Sequence, residues 1–290
     1  MSWLSDDTVA RLQNAAAQPD FSDTRYEITR ALARGGMGVV YEGVDRDLRR
    51  SVAIKVLPIE FAGGDAAVRL RREAELIAGL EHPGIVPLHD MGVLADGRAF
   101  YVMKLVRGKT LAEMMQSPHT IAEALRLCIR ICEPVAFAHA RGVVHSDLKP
   151  ANVMIGEFGE VLVMDWGVSV AGTPGYMAPE QESASRGPVT DVFALGVILR
   201  QILARSGESL PRRLRAILTK ATASSPGDRY SSARLLADDL LRFLDGQPVT
   251  AYPETILDAL LRWGNRNRAL IGIVSAYLVM RMVVLLMAHR

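Results

Sequence analysis

A change of hydrophobic pattern near Gly108 limits most strongly how this chain can fold. Before it, short apolar runs such as "ALARGGMGVVYEGVD" and "SVAIKVL" alternate with turns and predict five strands, with the amphipathic helix "DAAVRLRREAELIAGL" among them. After it, long apolar-striped segments such as "TIAEALRLCIRICEPVAFAHARG" and "DVFALGVILRQIL" predict helices, with one short hairpin between them. The expected fold class is therefore α+β, with a small β-rich part followed by a larger helical part.

The composition narrows the class of protein. A chain of 290 residues with 49% hydrophobic content can bury a substantial core. Its formal net charge of +2 creates no general attraction to nucleic acid, so no nucleic-acid partner is expected. Cys128 and Cys132 lie one helical turn apart, which predicts reduced core thiols in a cytosolic globular part and not a disulfide or zinc site.

The two ends of the chain differ from its middle. Residues 1–25 are polar and predict a loosely held leader, and Asp6 and Asp7 are incompatible with a secretory signal there. Residues 269–288 carry a single charge, Arg281, and are long enough for a helix to cross a bilayer core of about 30 Å. They predict a single-pass anchor in the cell membrane, and the alternative is a buried C-terminal helix. The positive-inside tendency then places the preceding domain in the cytoplasm, because basic residues precede the segment: Arg262, Arg266 and Arg268.

Five elements that carry chemistry follow one another along the first part of the chain. They are the Gly-rich turn "RGGMG", Lys55 in "VAIK", Glu73 on the amphipathic helix, Asp147 in "HSDLKPAN" and Asp165 in "DWG". A Gly-rich turn alone is a weak signal, whereas the combined order and spacing of all five are highly specific.

With these motifs the chain resembles the protein kinases, and specifically the bacterial Ser/Thr kinases of the receptor type. The resemblance covers residues 26–245 and implies a two-lobed fold, with an N-lobe at 26–103, a C-lobe at 104–245 and a basic linker at 246–268. It also implies transfer of the γ-phosphate of ATP to protein hydroxyls, with ATP and Mg²⁺ as cofactors. The protein substrate is not identified by the sequence.

The resemblance assigns nucleotide-binding roles to residues of the N-lobe and the hinge. Lys55 would hold the α- and β-phosphates, and Glu73 would be its ion-pair partner. Gly35, Gly36 and Gly38 would let the backbone close over the phosphates, although Ala33 replaces the family's first Gly. The remaining expected contacts around the nucleotide come from Met37, Val40, Ala53, Met103 behind the adenine, and the hinge residues Lys104 and Val106.

The resemblance assigns the catalytic roles to the segment around Asp147. Asp147 would be the base that accepts the substrate hydroxyl proton, and Lys149 would neutralise the transferred phosphate. Asn152 and Asp165 would supply oxygen ligands to magnesium, a hard cation that retains several waters. Other positions match supporting residues of the family: Trp166 in place of Phe, Thr173 beside Asp147 and Lys149, Asp191 bracing the catalytic loop, and a buried ion pair of Glu180 with Arg229.

Two departures from the family pattern leave two functions open. Ser146 replaces the Arg that pairs with a phosphorylated activation loop, and only residues 168–174 separate "DWG" from Gly175. The stretch between Asp191 and Arg229 is also short, which removes part of the region that docks substrates. The first hypothesis is an active Ser/Thr kinase that is not controlled by activation-loop phosphorylation. The alternative is a nucleotide-binding pseudokinase that acts as a signalling interaction module.

Overall fold

The fold is taken from a computed structural model, which describes residues 19–35, 38–62, 64–166, 172–183, 186–255, 264 and 267–288. Most of the predicted leader lies outside the described residues, as do Gly36 and Met37 of the Gly-rich turn. The same is true of residues 167–171 after "DW" and of much of the predicted linker.

An antiparallel sheet of five strands forms the N-terminal lobe, as the sequence predicts. The strands are β1 (Tyr26–Gly35), β2 (Gly38–Asp45), β3 (Arg50–Val56), β4 (Leu88–Val93) and β5 (Ala99–Lys104), and their order in the sheet is β1-β2-β3-β5-β4. Alternate residues of β5 face two different cores. Phe100 and Val102 pack with β3 on one face, whereas Tyr101 lies on the other face with Leu70 and Ala74. This alternation follows from the period of two along a strand.

The helix α1 (Asp65–Ala78) packs on the second face of this sheet. Leu70, Glu73, Ala74 and Ile77 are buried, and their spacing of three and four residues places them on one side of the helix. Within the described part of this helix, the buried side chains are therefore apolar except for the carboxylate of Glu73.

A small second sheet lies between the N-terminal lobe and the helices. It contains β6 (Gly108–Thr110), β7 (Val153–Gly156) and β8 (Val161–Val163), in the order β6-β7-β8. Ile85 forms a parallel bridge with Val163, so the sheet of the helical part is joined to the segment that follows α1. The residues of the catalytic loop come just before β7, and Asp165 and Trp166 come just after β8.

The helical lobe surrounds one long buried helix. Its helices are α2 (Leu111–Met114), α3 (Ile121–His139), α4 (Pro188–Leu203), α5 (Arg212–Ala221) and α6 (Ala233–Leu244). Thr120 and Glu123 form a capping box that starts α3, and Gly142 takes a positive φ of 74° just beyond its end. Cys128 and Cys132 are free and fully buried in this core, which confirms the prediction of reduced core thiols.

The packed part of this lobe continues beyond residue 245. Val249 is 3% exposed and belongs to the main core. Asp239 of α6 accepts hydrogen bonds from the backbone of Thr250 and Ala251, at 2.8 and 3.0 Å. The start of the predicted linker at 246 therefore includes residues that pack on the helical lobe.

The C-terminal segment is helical, as α7 (Arg268–Ala288), but the membrane prediction for it is not supported. Within the part of the chain that the structure describes, no helix combines the length and the apolar character needed to cross a membrane. The alternative of a buried helix is not supported either, because side chains such as Ile273 and Leu278 are 70% and 57% exposed. The apolar composition and length of residues 269–288 thus predicted a helix correctly. They did not predict what surrounds that helix.

Candidate active site

Lys55 lies at the centre of the first cluster of the site, between two carboxylates. Its Nζ atom is 3.0 Å from Oε1 of Glu73 on α1 and 2.9 Å from Oδ1 of Asp165 after β8. The side chain of Lys55 is only 7% exposed. Burial disfavours its charged form, but neighbouring Tyr101, Asp165 and Glu73 outweigh burial and raise the pKa of Lys55 well above its ordinary value. The lysine is therefore a cation held at the junction of strand, helix and catalytic segment.

The strands next to Lys55 carry further residues that the sequence predicts around the nucleotide. Val40 lies directly opposite Lys55 in the β2–β3 ladder, and Ala53 lies opposite Met103 in the β3–β5 ladder. Gly38 has a φ of 131°, and a Cβ there would collide with the carbonyl oxygen of Val56. At Gly35 a Cβ would meet nothing within 4 Å. Of these two glycines, the backbone therefore requires a glycine only at position 38.

The hinge follows β5 directly. The backbone N–H of Lys104 donates to the carbonyl oxygen of Pro87 at 3.0 Å, which fixes the end of the strand. Lys104 is exposed, and Met103 and Val106 are half-buried. The three residues predicted to contact the adenine thus lie on one continuous segment that starts within β5.

Asp147 and Lys149 form the second cluster together with Thr173. Lys149 Nζ is 2.8 Å from Oδ2 of Asp147 and donates to Oγ1 of Thr173 at 2.7 Å. Oδ1 of Asp147 accepts from both the backbone N–H and the hydroxyl of Thr173, at 2.8 and 2.7 Å. Thr173 therefore orients the side chains of both Asp147 and Lys149.

Asn152 connects this loop to the predicted metal ligand. Its Nδ2 donates to the carbonyl oxygen of Asp147 at 2.9 Å, and its backbone oxygen accepts from Met164 N, one residue before Asp165. Since the amide nitrogen is used in this way, the side-chain oxygen remains the group that can bind a cation. Asp165 has a positive φ of 55°, and its side chain is 42% exposed.

Asp191 of α4 braces the backbone of the catalytic loop from below. Its Oδ2 accepts from the backbone N–H of His145 at 2.8 Å and from Nε2 of His139 at 2.7 Å, and its Oδ1 accepts from Ser146 N at 2.9 Å. Ser146 has a φ of 67°, an unfavourable backbone conformation for a residue with a side chain. Gln181 also donates to the carbonyl oxygen of Ser146 at 3.0 Å. The strained peptide is thus held at both its N–H and its carbonyl.

His145 and Trp166 connect the two clusters through the core. Nε2 of His145 is 2.8 Å from the carbonyl oxygen of Met164, which can only accept, so this nitrogen carries the proton. Nδ1 can then accept the N–H of Asp147, at 3.3 Å. Trp166 is 1% exposed and shares its core with Ile77 of α1. Its ring centroid lies 4.9 Å from that of His145, with the two rings tilted by 49°. The Trp that replaces Phe therefore packs beneath the helix that carries Glu73.

Comparisons with known proteins agree with this geometry. The model of the protein kinase domain family matches residues 26–223. The chain belongs to the protein kinase family. Its lobes and ion pairs can therefore be described as those of a kinase domain.

Several bacterial Ser/Thr kinases are similar to this kinase domain. The Ser/Thr-protein kinase PknD of Chlamydia felis is 31% identical, and the match covers 80% of this chain and 32% of PknD. The Ser/Thr-protein kinase PknB of Mycobacterium tuberculosis is 32% identical, and the match covers 83% of this chain and 46% of PknB. The chain thus spans about a third to a half of the length of these relatives.

A solved structure shows the same fold. The crystal structure of the Mycobacterium tuberculosis PknI kinase domain has a TM-score of 0.64 and 29% sequence identity to this chain. The match covers 76% of this chain and 96% of the PknI domain. The two-lobed kinase architecture predicted from the motifs is therefore confirmed.

The structure assembles Lys55, Glu73 and Asp165 in one cluster and Asp147, Lys149 and Asn152 in another. It also adds three residues that motif analysis missed. Tyr101 donates to Glu73, His139 donates to Asp191, and Gln181 supports Ser146. Strand alternation could have indicated that Tyr101 faces the same side as Met103. No local signal identifies its partner, because Glu73 is 28 residues away in sequence.

Proposed function

We propose that this chain is an active, ATP-dependent protein Ser/Thr kinase. The observation that supports the proposal most strongly is that both ionic clusters are assembled in the same structure. Lys55 is paired with Glu73 and Asp165, and Asp147 is oriented by Lys149 and Thr173. A protein that only bound nucleotide would need the first cluster and not the second.

In the proposed reaction, the N-terminal lobe and the hinge hold ATP. The ammonium of Lys55 would bind the α- and β-phosphates, and its position is fixed by the carboxylate of Glu73. The backbone of Gly35 and Gly38 would approach the phosphates from above. The adenine would lie between Ala53 and the hinge, with Met103 behind it.

The donor set near Asp165 fits magnesium. A partly exposed carboxylate and the amide oxygen of Asn152 are hard oxygen ligands, and magnesium needs only one or two such protein groups beside phosphate and water. Asp165 and Asn152 are therefore the candidate ligands of this proposal. When bound there, Mg²⁺ would neutralise phosphate charge.

Transfer of the phosphoryl group would depend on the second cluster. Oδ atoms of Asp147 would accept the proton of the attacking Ser or Thr hydroxyl, and Nζ of Lys149 would neutralise charge on the transferred group. Since the transition state requires little covalent work from the protein, the main contribution of Thr173 is to fix the geometry of these two side chains.

The proposed kinase does not depend on activation-loop phosphorylation. In related enzymes an Arg before the catalytic Asp orders the loop by binding its phosphate, and Ser146 cannot do so. Here the backbone at Ser146 is held by Asp191 and Gln181 instead, neither of which needs a modification. The short connection from Asp165 to Thr173 leaves little loop to be ordered.

The roles of Asp147 and Asp165 are separable by experiment. We expect Asp147→Asn to lose phosphoryl transfer to a general acceptor protein by about 10²- to 10⁴-fold, the usual contribution of a general base. Its stabilisation by Mg-ATP in a thermal shift assay should remain. Asp165→Ala should lose both transfer and stabilisation, because the metal ligand is removed. If wild type is stabilised by Mg-ATP but transfers no more phosphate than Asp147→Asn, the pseudokinase alternative replaces this proposal.

Independence from loop phosphorylation has its own test. We expect treatment with a Ser/Thr phosphatase, followed by its removal, to leave the initial rate of acceptor phosphorylation unchanged. The phosphatase itself is checked on a phosphorylated acceptor protein. A large decrease in the rate, restored by preincubation with Mg-ATP, would show that the enzyme needs its own phosphate.

A further inference from the structure

Tyr101 is a buried residue of β5 that the chemistry described above does not use. It is 1% exposed, and its hydroxyl donates a hydrogen bond to Oε1 of Glu73 at 2.9 Å. The β3–β5 register places Tyr101 directly opposite Lys55, so that both side chains lie on the face of the sheet covered by α1. Glu73 therefore receives a donor from each of two neighbouring strands.

The hydroxyl of Tyr101 satisfies a carboxylate that is almost completely buried. Glu73 is 3% exposed, and its Oε1 accepts from both Lys55 and Tyr101. Burial raises the pKa of Glu73, and the hydrogen bonds from Lys55 and Tyr101 oppose this effect. Burial also raises the pKa of Tyr101 well above its ordinary value, so the phenol keeps its proton and acts as a donor.

The aromatic ring and the hydroxyl of Tyr101 have different roles. The ring packs with Leu70 and Ala74, and Lys55 Nζ lies 5.5 Å from the ring centroid. A phenylalanine would keep all of these contacts. Of the contacts that Tyr101 makes, only the hydrogen bond from its hydroxyl favours the inward position of Glu73 over other positions of α1, because a hydrogen bond has a direction and apolar packing has little.

Resting on the proposed kinase activity, we propose that Tyr101 is a positioning residue whose hydroxyl holds Glu73 against Lys55. It thereby keeps α1 in the phosphate-binding arrangement without a signal from the activation loop. This function complements the loss of the ordering Arg at position 146. In this proposal, the hydrogen bond from Tyr101 to Glu73 orders the N-terminal lobe and needs no phosphorylation. The contact between an Arg and a phosphorylated activation loop, which would need it, is absent because Ser146 replaces the Arg.

The test compares two buried tyrosines of the full chain. Tyr101→Phe removes the hydroxyl beside Glu73, and Tyr230→Phe is the matched control. Tyr230 is 2% exposed and donates to Oδ2 of Asp239 at 2.8 Å in the helical lobe. Both substitutions remove a buried tyrosine-to-carboxylate hydrogen bond, so both should lower the urea midpoint of unfolding.

Only Tyr101→Phe should change the kinetics. We expect kcat/KM for ATP to fall about ten-fold, since a hydrogen bond to a charged group is lost, while KM for the acceptor protein stays constant. In a Glu73→Ala background, Tyr101→Phe should have no further effect on kcat/KM for ATP, because the hydroxyl acts through Glu73. Equal kinetics for Tyr101→Phe and Tyr230→Phe, or additive losses in the double variant, would overturn the inference.

Nucleotide binding keeps this inference separate from the proposed function. If wild type transfers no phosphate, the proposed function fails, and the affinity for Mg-ATP measured by calorimetry takes the place of the kinetics. Tyr101→Phe should then weaken that affinity while Tyr230→Phe leaves it unchanged. Equal affinities of the two variants, or the absence of any Mg-ATP binding by wild type, would rule out the role of Tyr101.

Discussion

Thr173 contacts two side chains of one loop that are proposed to be catalytic, and it orients both of them. Asp147 and Lys149 lie two residues apart, and each could turn towards solvent, since their side chains are 15% and 26% exposed. The hydroxyl of Thr173 accepts from Lys149 and donates to Asp147, which gives each group one fixed direction. In the proposed reaction, Thr173 would therefore act through these two neighbours.

Substitutions at Thr173 should separate its hydroxyl from its backbone. Thr173→Ala keeps the backbone N–H that binds Asp147 but loses both hydroxyl contacts. We therefore expect kcat for acceptor phosphorylation to fall about 10- to 100-fold, because these contacts involve charged groups. KM for ATP should not change. Thr173→Ser is the control that retains the hydroxyl, and an alanine variant as active as the serine variant would contradict this role.

At the scale of elements, the β1–β2 hairpin requires glycine at position 38 but not at position 35. Gly35 and Gly38 face each other at the end of the ladder. Only Gly38 combines a positive φ with a position against the backbone of β3. A side chain there must displace β3, the strand that carries Lys55, and β3 is paired on both sides.

Gly38→Ala should therefore weaken the nucleotide site, and Gly35→Ala is its matched control. We expect Gly38→Ala to lower the free energy of unfolding by about 1–3 kcal/mol, through backbone strain and overpacking. Its affinity for Mg-ATP should also fall, because β3 moves. Gly35→Ala should change the stability little. Urea unfolding and Mg-ATP titration measure the two effects, and indistinguishable variants would show that the turn adapts to a side chain at either position.

At the scale of the whole molecule, one buried ion pair joins segments that are far apart in sequence. Nη1 and Nη2 of Arg229 donate to the two carboxylate oxygens of Glu180, at 2.6 and 2.8 Å. The guanidinium also donates to the carbonyl oxygens of Val189, Ala223 and Ser224. This arrangement ties the end of the activation segment to α4 and to the loop before α6. It confirms the predicted pairing of Glu180 with Arg229.

This ion pair should give the protein a specific dependence on pH. Burial would raise the pKa of Glu180, but the hydrogen bond and charge of Arg229 outweigh burial, so the pKa lies below its ordinary value. A carboxyl group whose pKa is lowered by folding stabilises the protein above its unfolded pKa of about 4.3. That contribution is lost as the pH falls through the lower, folded pKa.

Urea unfolding between pH 7 and pH 3 tests this dependence. We expect Glu180→Gln to decrease the slope of stability against pH in the acidic range. Arg229→Met, which leaves Glu180 without its cation, should lower the free energy of unfolding at pH 7 by about 3–5 kcal/mol. A Gln variant with the same acidic slope as wild type would show that other carboxyl groups dominate the acid limb.

The sequence by itself predicted the local structure and singled out the candidate site residues. Strand alternation, helical periodicity and turn residues act over a few positions, so they predicted the five-stranded sheet, α1 and the long buried helix α3. The ordered motifs singled out Lys55, Glu73, Asp147 and Asp165 as candidates, because each motif combines residue type with spacing. The helical character of 269–288 was equally predictable, although its proposed crossing of a membrane is not supported.

Only the tertiary structure decided which distant groups meet. The bond from Tyr101 to Glu73, the bonds from Thr173 to Asp147 and the bracing of Ser146 by Asp191 join residues 26 to 45 positions apart. Such contacts are set by strand register and by how α1 and α4 pack, which are collective results of burying the whole core. A sequence pattern predicts the face of a strand or helix on which a side chain lies. Its hydrogen-bond partner, 2.7–2.9 Å away in these three cases, is determined only when the strands and helices pack together.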